Sequence, residues 1–161
     1  AGPLAQAVAQ GKARGAEVVI HCGDLIGTQT LGGALATGLP LHLVHGNNIG
    51  DQVSLARWVR ERNGQLQYHG QDARLALGGK RVFAVHYPEY GHAMACTGDW
   101  DLVCCGHSHT AGVEQVRNVK GGSTWLVNPG TVAGLALRRA GGVEVACVLY
   151  PEDPEEESAG S

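Results

Sequence analysis

Residues 18–24 read Val18-Val19-Ile20-His21-Cys22-Gly23-Asp24, a continuous apolar run that stops at a glycine and a carboxylate. Runs of this kind are typical of strands buried on both faces, as in sheets covered by helices. Outward from this stretch the pattern recurs. Leu41 to Val44 is a second such run, followed by Gly46-Asn47-Asn48. Leu102 to Cys105 is another, followed by Gly106-His107-Ser108-His109, and Arg81 to Val85 ends at His86. Every strong polar cluster thus lies just after an apolar run, which is where open α/β sheets bind ligands.

The connecting segments alternate in period. Residues 3–14 place Pro3 at a first helical position and Leu4 and Val8 on one face, which predicts a short helix ending near Gly15. Residues 29–38 predict a second helix ending at Gly38. Asp51 caps a third, in which Leu55, Trp58 and Val59 form an apolar stripe. From residue 66 the period changes. Ala73 to Leu77 and Arg81 to Val85 flank Gly78-Gly79 as a hairpin, and residues 113–117 and 123–127 pair across Lys120-Gly121-Gly122 as another. Tyr90 to Thr97 predicts a short helix, and Val143 to Tyr150 a closing strand. A βαβα front half and a hairpin-rich back half fit either a layered α/β fold with one mixed sheet or two sheets packed as a sandwich with helices outside.

The 161 residues fit one domain, over residues 1–150, with the acidic, proline-containing residues 151–161 as a solvated tail. Net charge is −3, so no basic face for nucleic acid is indicated, and no apolar stretch reaches the roughly 18 residues of a membrane span. The 25 glycines are roughly twice the usual share and dispersed, which points to tight turns between short elements. Five cysteines with no C-x-x-C pair exclude a zinc ribbon or redox motif and read as reduced thiols of a cytoplasmic protein. The chain begins at Ala1 rather than Met, and its first strand signal comes only at Glu17.

If the strands share a rim, their ends gather one carboxylate, one carboxamide and three imidazoles. That is a donor set for borderline divalent metals such as Mn, Fe, Co, Ni or Zn. Gly23, Gly46 and Gly106 before the clusters allow sharp turns and close backbone approach. Taken singly, Gly-Asp or Gly-Asn is often only a turn, and a lone His86 is more often structural. Two imidazoles two residues apart at a strand end are rarely so. Two cations about 3.5–4 Å apart can clamp a phosphate and generate hydroxide at neutral pH. No Gly-x-Ser-x-Gly elbow or phosphate-binding Gly-x-x-x-x-Gly-Lys loop offers another chemistry. The expected reaction is in-line attack by metal-bound hydroxide on a phosphodiester or monoester.

The ordered set Gly23-Asp24, Gly46-Asn47, His86 and Gly106-His107-Ser108-His109, with the Asn128-Pro129-Gly130 turn, resembles the calcineurin-like metallophosphoesterase family. It looks most like the small single-domain bacterial and archaeal phosphodiesterases. The resemblance implies an α/β/β/α sandwich of two mixed sheets flanked by helices. It also implies two divalent ions, manganese first, with Ni, Fe, Co or Zn as alternatives. Asp24 would bridge both metals, and Asn47, His86 and His107 would complete one site. His109 would serve the other, and Asp24, Asn47 and His107 would be the residues of catalysis.

In that family the second metal also needs an Asp-x-His pair on a strand before Gly-Asp, and residues 1–16 contain neither Asp nor His. A chain lacking its first strand is the favoured reading, over a protein that has lost one metal. Asn48 stands where many members carry a leaving-group histidine, and Ile49 where an acid often follows. Tyr87-Pro88 replaces the usual Gly-His after His86. His21 and His42, inside strands, read as structural, and His45, just before Gly46-Asn47, reads as a strand-end residue with support of the site as the lesser alternative. His92 reads as surface, and Tyr87 and Tyr90 as pocket or core. The partner is a small phosphate-ester substrate, with no membrane. The rivals are a non-catalytic protein-binding scaffold on the same fold, such as the retromer subunit, and a protein holding a single metal.

Overall fold

The computed structural model describes residues 2–25, 27–48 and 50–130, and the backbone of two further strands, 135–140 and 143–148. The front half runs α1 (Pro3–Ala13), β1 (Val19–His21), a 3-10 turn (Thr28–Thr30) leading into α2 (Leu31–Leu35), β2 (Leu41–Leu43), α3 (Gln52–Glu61) and β3 (Leu66–Tyr68). The back half runs β4 (Asp72–Leu77), β5 (Lys80–Val85), α4 (Pro88–Cys96), β6 (Leu102–Cys104), β7 (Gly112–Arg117) and β8 (Ser123–Asn128). Strands β9 (Leu135–Ala140) and β10 (Val143–Val148) follow.

The first sheet has the order β1-β2-β3, all parallel. The second has the order β4-β5-β6-β8-β7 and is mixed: β5, β6 and β8 run parallel, with β4 and β7 antiparallel at its edges. β9 and β10 pair antiparallel with each other. Side-chain alternation along the strands then divides the core into three layers. Ile20, Cys22 and Val44 of the first sheet meet Val82, Ala84, Leu102, Cys104 and Val127 of the second. On the first sheet's outer face Leu41, Leu43 and Leu66 pack under Val8 of α1, Leu31 and Leu35 of α2, and Leu55, Trp58 and Val59 of α3. On the second sheet's outer face Phe83, Val85, Val103 and Leu126 pack under Tyr90, Met94 and Ala95 of α4. The architecture is α/β/β/α.

Local chemistry accounts for most elements. Asp51 caps α3, its carboxylate accepting the Ser54 N–H at 3.0 Å. Gly78 and Gly79 turn between β4 and β5 with φ of 55° and 74°, as a tight hairpin with two left-handed residues requires. Some predictions needed correction. The helix expected over 29–38 is a 3-10 turn and five residues of α2, two of them glycine, which lowers helix propensity. A Cβ at Gly33 would strike the Ala5 side chain, so that glycine lets α2 lie close on α1. The run 18–22, expected buried on both faces, forms a half-buried β1 with a partner on one side only among the described residues. β3 and β9 had no predicted counterpart. Residues 149–150 of the predicted closing strand and the predicted tail, 151–161, lie outside the described residues. Among the described residues no helix is long and apolar enough to cross a membrane.

Candidate metal centre

Parallel pairing of β1 with β2 and of β5 with β6 brings four strand ends to one rim. Asp24 follows β1, Asn47 follows β2, His86 directly follows β5 and His107 follows β6. Two of the glycines before them are sterically required, and the third, Gly106, is tightly placed. A Cβ at Gly23 would lie 2.6 Å from His86 Nδ1 and 2.9 Å from Gly46 Cα, and one at Gly46 would overlap the Asp24 backbone and carboxylate. A Cβ at Gly106 would come within 3.3 Å of Cys22. The backbone is also strained here. Among the described residues, non-glycine left-handed φ values occur at Asp24 (59°), His107 (65°), His109 (58°) and Asn63. Each costs on the order of 1–3 kcal/mol, and such strain concentrates at functional sites.

The donor atoms face one another. His86 Nε2 lies 2.8 Å from Asn47 Oδ1 and 3.1 Å from His107 Nδ1, and His107 Nδ1 lies 2.9 Å from Asn47 Oδ1. Asp24 Oδ1 stands 3.5 Å from His86 Nε2. His86 is 2% exposed, and its other ring nitrogen, Nδ1, is 2.6 Å from the Cys22 carbonyl. That contact needs the proton on Nδ1, so Nε2 presents a bare lone pair to two further lone-pair atoms. With both imidazoles neutral and the Asn47 oxygen turned inward, one side-chain proton, on His107 Nδ1, remains among the four atoms. A cation satisfies all four at once, and an imidazole fixed by a carbonyl on its far side is the usual support of a metal ligand. The residues therefore fit a divalent metal, and the ligand atoms of Asp24, His86 and His107 all lie within 4.8 Å of one another.

Neighbouring groups hold this geometry. The Asn128 amide donates to the Gly106 carbonyl and to Ser108 Oγ, both at 2.9 Å, fixing the loop that carries His107. The Tyr87 ring packs against His86 and His107 at 5.0 and 5.1 Å between centroids. Gly23 N–H donates to His21 Nδ1 at 3.2 Å. Burial pushes the His21 imidazole down to about 4, with Asp24 opposing and His86 adding to the shift, so its ring is neutral and able to accept.

The remaining predicted residues divide. His109 is exposed and is not part of the Asp24, His86 and His107 group. Asn48 reaches Asp24 through its backbone N–H, at 2.9 Å from Oδ1. Asp51 is occupied as a helix cap. His42 is buried and paired with His69 at 2.8 Å, and His45 bonds the Tyr68 hydroxyl at 2.5 Å. Exposed His92 faces Cys96 Sγ at 3.7 Å, and Tyr90 packs on Phe83. Two contributors were not singled out in the sequence. The Cys22 carbonyl is a main-chain atom with no side-chain signature, and Tyr68 sits on a three-residue strand too short to show a period.

The fold is α/β/β/α, and the donor set fits a divalent metal. The model of the calcineurin-like phosphoesterase superfamily domain matches residues 2–152, and the chain belongs to that superfamily. Membership implies divalent metal ions. Phosphodiesterase MJ0936 of Methanocaldococcus jannaschii is 25% identical over 124 residues, 73% of this chain and 69% of that protein. A solved archaeal phosphodiesterase superposes with a TM-score of 0.73 at 20% identity, over 91% of this chain and 92% of its own. A single mutant of Vps29 from Entamoeba histolytica superposes with a TM-score of 0.51 at 17% identity, over 81% and 82%. These two structures share the fold.

Proposed function

We propose that this chain forms the core of a metal-dependent phosphodiesterase, with Asp24, Asn47, His86 and His107 as the ligands of one ion, manganese first. The observation that carries this reading is the convergence of His86 Nε2, Asn47 Oδ1 and His107 Nδ1 within 3.1 Å of one another, with Asp24 Oδ1 3.5 Å from His86 Nε2. Divalent ions in such a site act as Lewis acids on a phosphoryl oxygen and make water nucleophilic at neutral pH. The residues supply the rest. Asp24 gives the one negative charge, its Oδ1 held by the Asn48 N–H. The three neutral donors leave the centre net positive for an anionic ester. Tyr87 keeps the two imidazoles in register.

A second ion would have Asp24 and His109 as its donors here, and the resemblance assigns the rest to an Asp-x-His strand. The thiols of Cys96 and Cys105 are free, which supports a reducing, cytoplasmic setting. Titration of this chain with Mn is expected to show one tight equivalent by calorimetry, lost in His107→Ala. Preceded by a strand ending in Asp-x-His, the protein is expected to hydrolyse bis(p-nitrophenyl) phosphate in a Mn-dependent way, since that leaving group needs little protonation. Metal binding without hydrolysis in that protein would hand the fold to the scaffold or single-metal reading.

A further inference from the structure

The residues that end β1 touch the donor cluster one after another. The Cys22 carbonyl accepts from His86 Nδ1 at 2.6 Å. Asp24 Oδ1 accepts the Asn48 N–H at 2.9 Å and stands 3.5 Å from His86 Nε2. Gly23 lies between them, and its N–H is turned back to the ring of His21, whose Nδ1 accepts it at 3.2 Å.

That bond falls where the strand runs out of partners. Along β1 alternate residues face β2, and Val19 donates its N–H to the Pro40 carbonyl at 2.9 Å. Pairing with β2 ends at His21 and Leu43, so the Gly23 N–H lies beyond the ladder. A main-chain donor without an acceptor is costly there. The His21 ring supplies the acceptor from two residues back, as short polar side chains do in turns. The backbone leaves the extended conformation at the same point, with φ of 104° at Gly23 and 59° at Asp24. The turn has no room to drift, since a Cβ at Gly46 would overlap the Asp24 nitrogen and carboxylate.

We propose that His21 is a positioning residue of the metal centre: the lone pair on its Nδ1 holds the Gly23 N–H and thereby sets the turn that aims Asp24 at His86. The inference rests on the metal-dependent reading above. His21 therefore acts through a lone pair as well as through its bulk in the strand. The bond requires a bare Nδ1, which places the proton of the neutral ring on Nε2.

Two amides separate the lone pair from the bulk. Asparagine carries its oxygen near the place of Nδ1 and reaches an N–H two residues on. Glutamine carries its oxygen one methylene farther out, near the place of Nε2. Calorimetric titration with Mn is expected to show His21→Gln weakened about tenfold, and His21→Asn within about twofold of wild type. Ile20→Ala loosens the packing of β1 without touching the turn and should also stay within about twofold. Wild-type affinity in His21→Gln overturns the proposal. So does a loss in His21→Asn as large as in His21→Gln, since the ring then acts by its bulk. Equal weakening in Ile20→Ala overturns it as well, because the effect then travels through the stability of β1. Ring 15N spectra of the metal-free wild-type protein need no variant to fold: they should show the His21 proton on Nε2, and a proton on Nδ1 overturns the proposal. All of these leave the metal reading standing. Failure of the wild-type protein to bind Mn overturns that reading, and the role of His21 with it.

Discussion

Strand β6 lies between two parallel neighbours, β5 and β8, and all three of its residues are buried; β1 has β2 on one side, and its three residues are half-buried. Both deliver residues of the donor cluster, His107 from β6 and Asp24 from β1. The second sheet holds its imidazoles by packing, with Phe83, Val85 and Val103 fully buried beneath α4. The first holds Asp24 and Asn47 by glycine turns and a few hydrogen bonds, in which Gly23 and Gly46 nearly touch. The carboxylate that would serve two ions is thus carried by the less supported strand.

The largest expected effect follows from that contrast. Phe83 is 0% exposed and packs against Tyr90 and Trp100 at 5.7 and 5.1 Å. Phe83→Ala is expected to cost about 3–5 kcal/mol in urea unfolding, the range for a buried aromatic cut to alanine. Ile20, at the middle of β1, is half-buried, so Ile20→Ala should cost roughly half the usual buried value, about 1–2 kcal/mol. Equal losses would mean that β1 is as firmly packed as the strands of the second sheet.

An intermediate effect should appear on acidification of metal-free protein, with a chelator present. His21 on β1 has its folded value lowered from 6.5 to about 4, chiefly by burial. The unfolded chain therefore binds more protons between these values, and stability is lost as pH falls from about 6.5 to 4, levelling below that. The upper limit of this one contribution is about 3 kcal/mol. His42 and His69 shift in the same direction by burial and add to the slope. His21→Asn should flatten the profile of unfolding midpoint against pH over this window. An unchanged slope would remove His21 as its source.

Legibility in the sequence followed the same division. Strands followed by chemistry-bearing residues were readable, because an apolar run ending in glycine and a polar group carries its own boundary, as in Val18 to Asp24. So was the Gly78-Gly79 hairpin, since two left-handed positions in a row demand glycine. That β1 pairs only with β2 among the described residues was not, because an apolar run records what a strand can bury and not how many neighbours it has. β3 was missed because three residues, Leu66, Gln67 and Tyr68, are too few to establish alternation. Type and order singled out Asp24, Asn47, His86, His107 and His109, and the structure brings the first four together without His109. The Cys22 carbonyl that sets the His86 tautomer, and the Tyr68 hydroxyl on His45, depend on pairings that no local pattern encodes.

The smallest expected effect uses two asparagines at the two ends of β8. Asn118 lies in the turn before it, where its side chain accepts from the Lys120 and Gly122 N–H groups and donates to Thr124 Oγ1. Asn128 ends the strand and ties the Gly106 carbonyl to Ser108 Oγ, beneath His107. Each loses hydrogen bonds as alanine, so both variants should be destabilised by about 1 kcal/mol, the net worth of a typical internal bond. Only Asn128→Ala should also weaken Mn binding, by about tenfold, because groups behind a metal ligand fix its orientation. The left-handed φ of 65° at His107 makes that loop costly to hold without its brace. Calorimetric Mn affinities for the two variants measure the difference directly. If Asn118→Ala weakens Mn as much as Asn128→Ala, the effect travels through the stability of the second sheet, and the local brace at His107 is not what holds the imidazole in place.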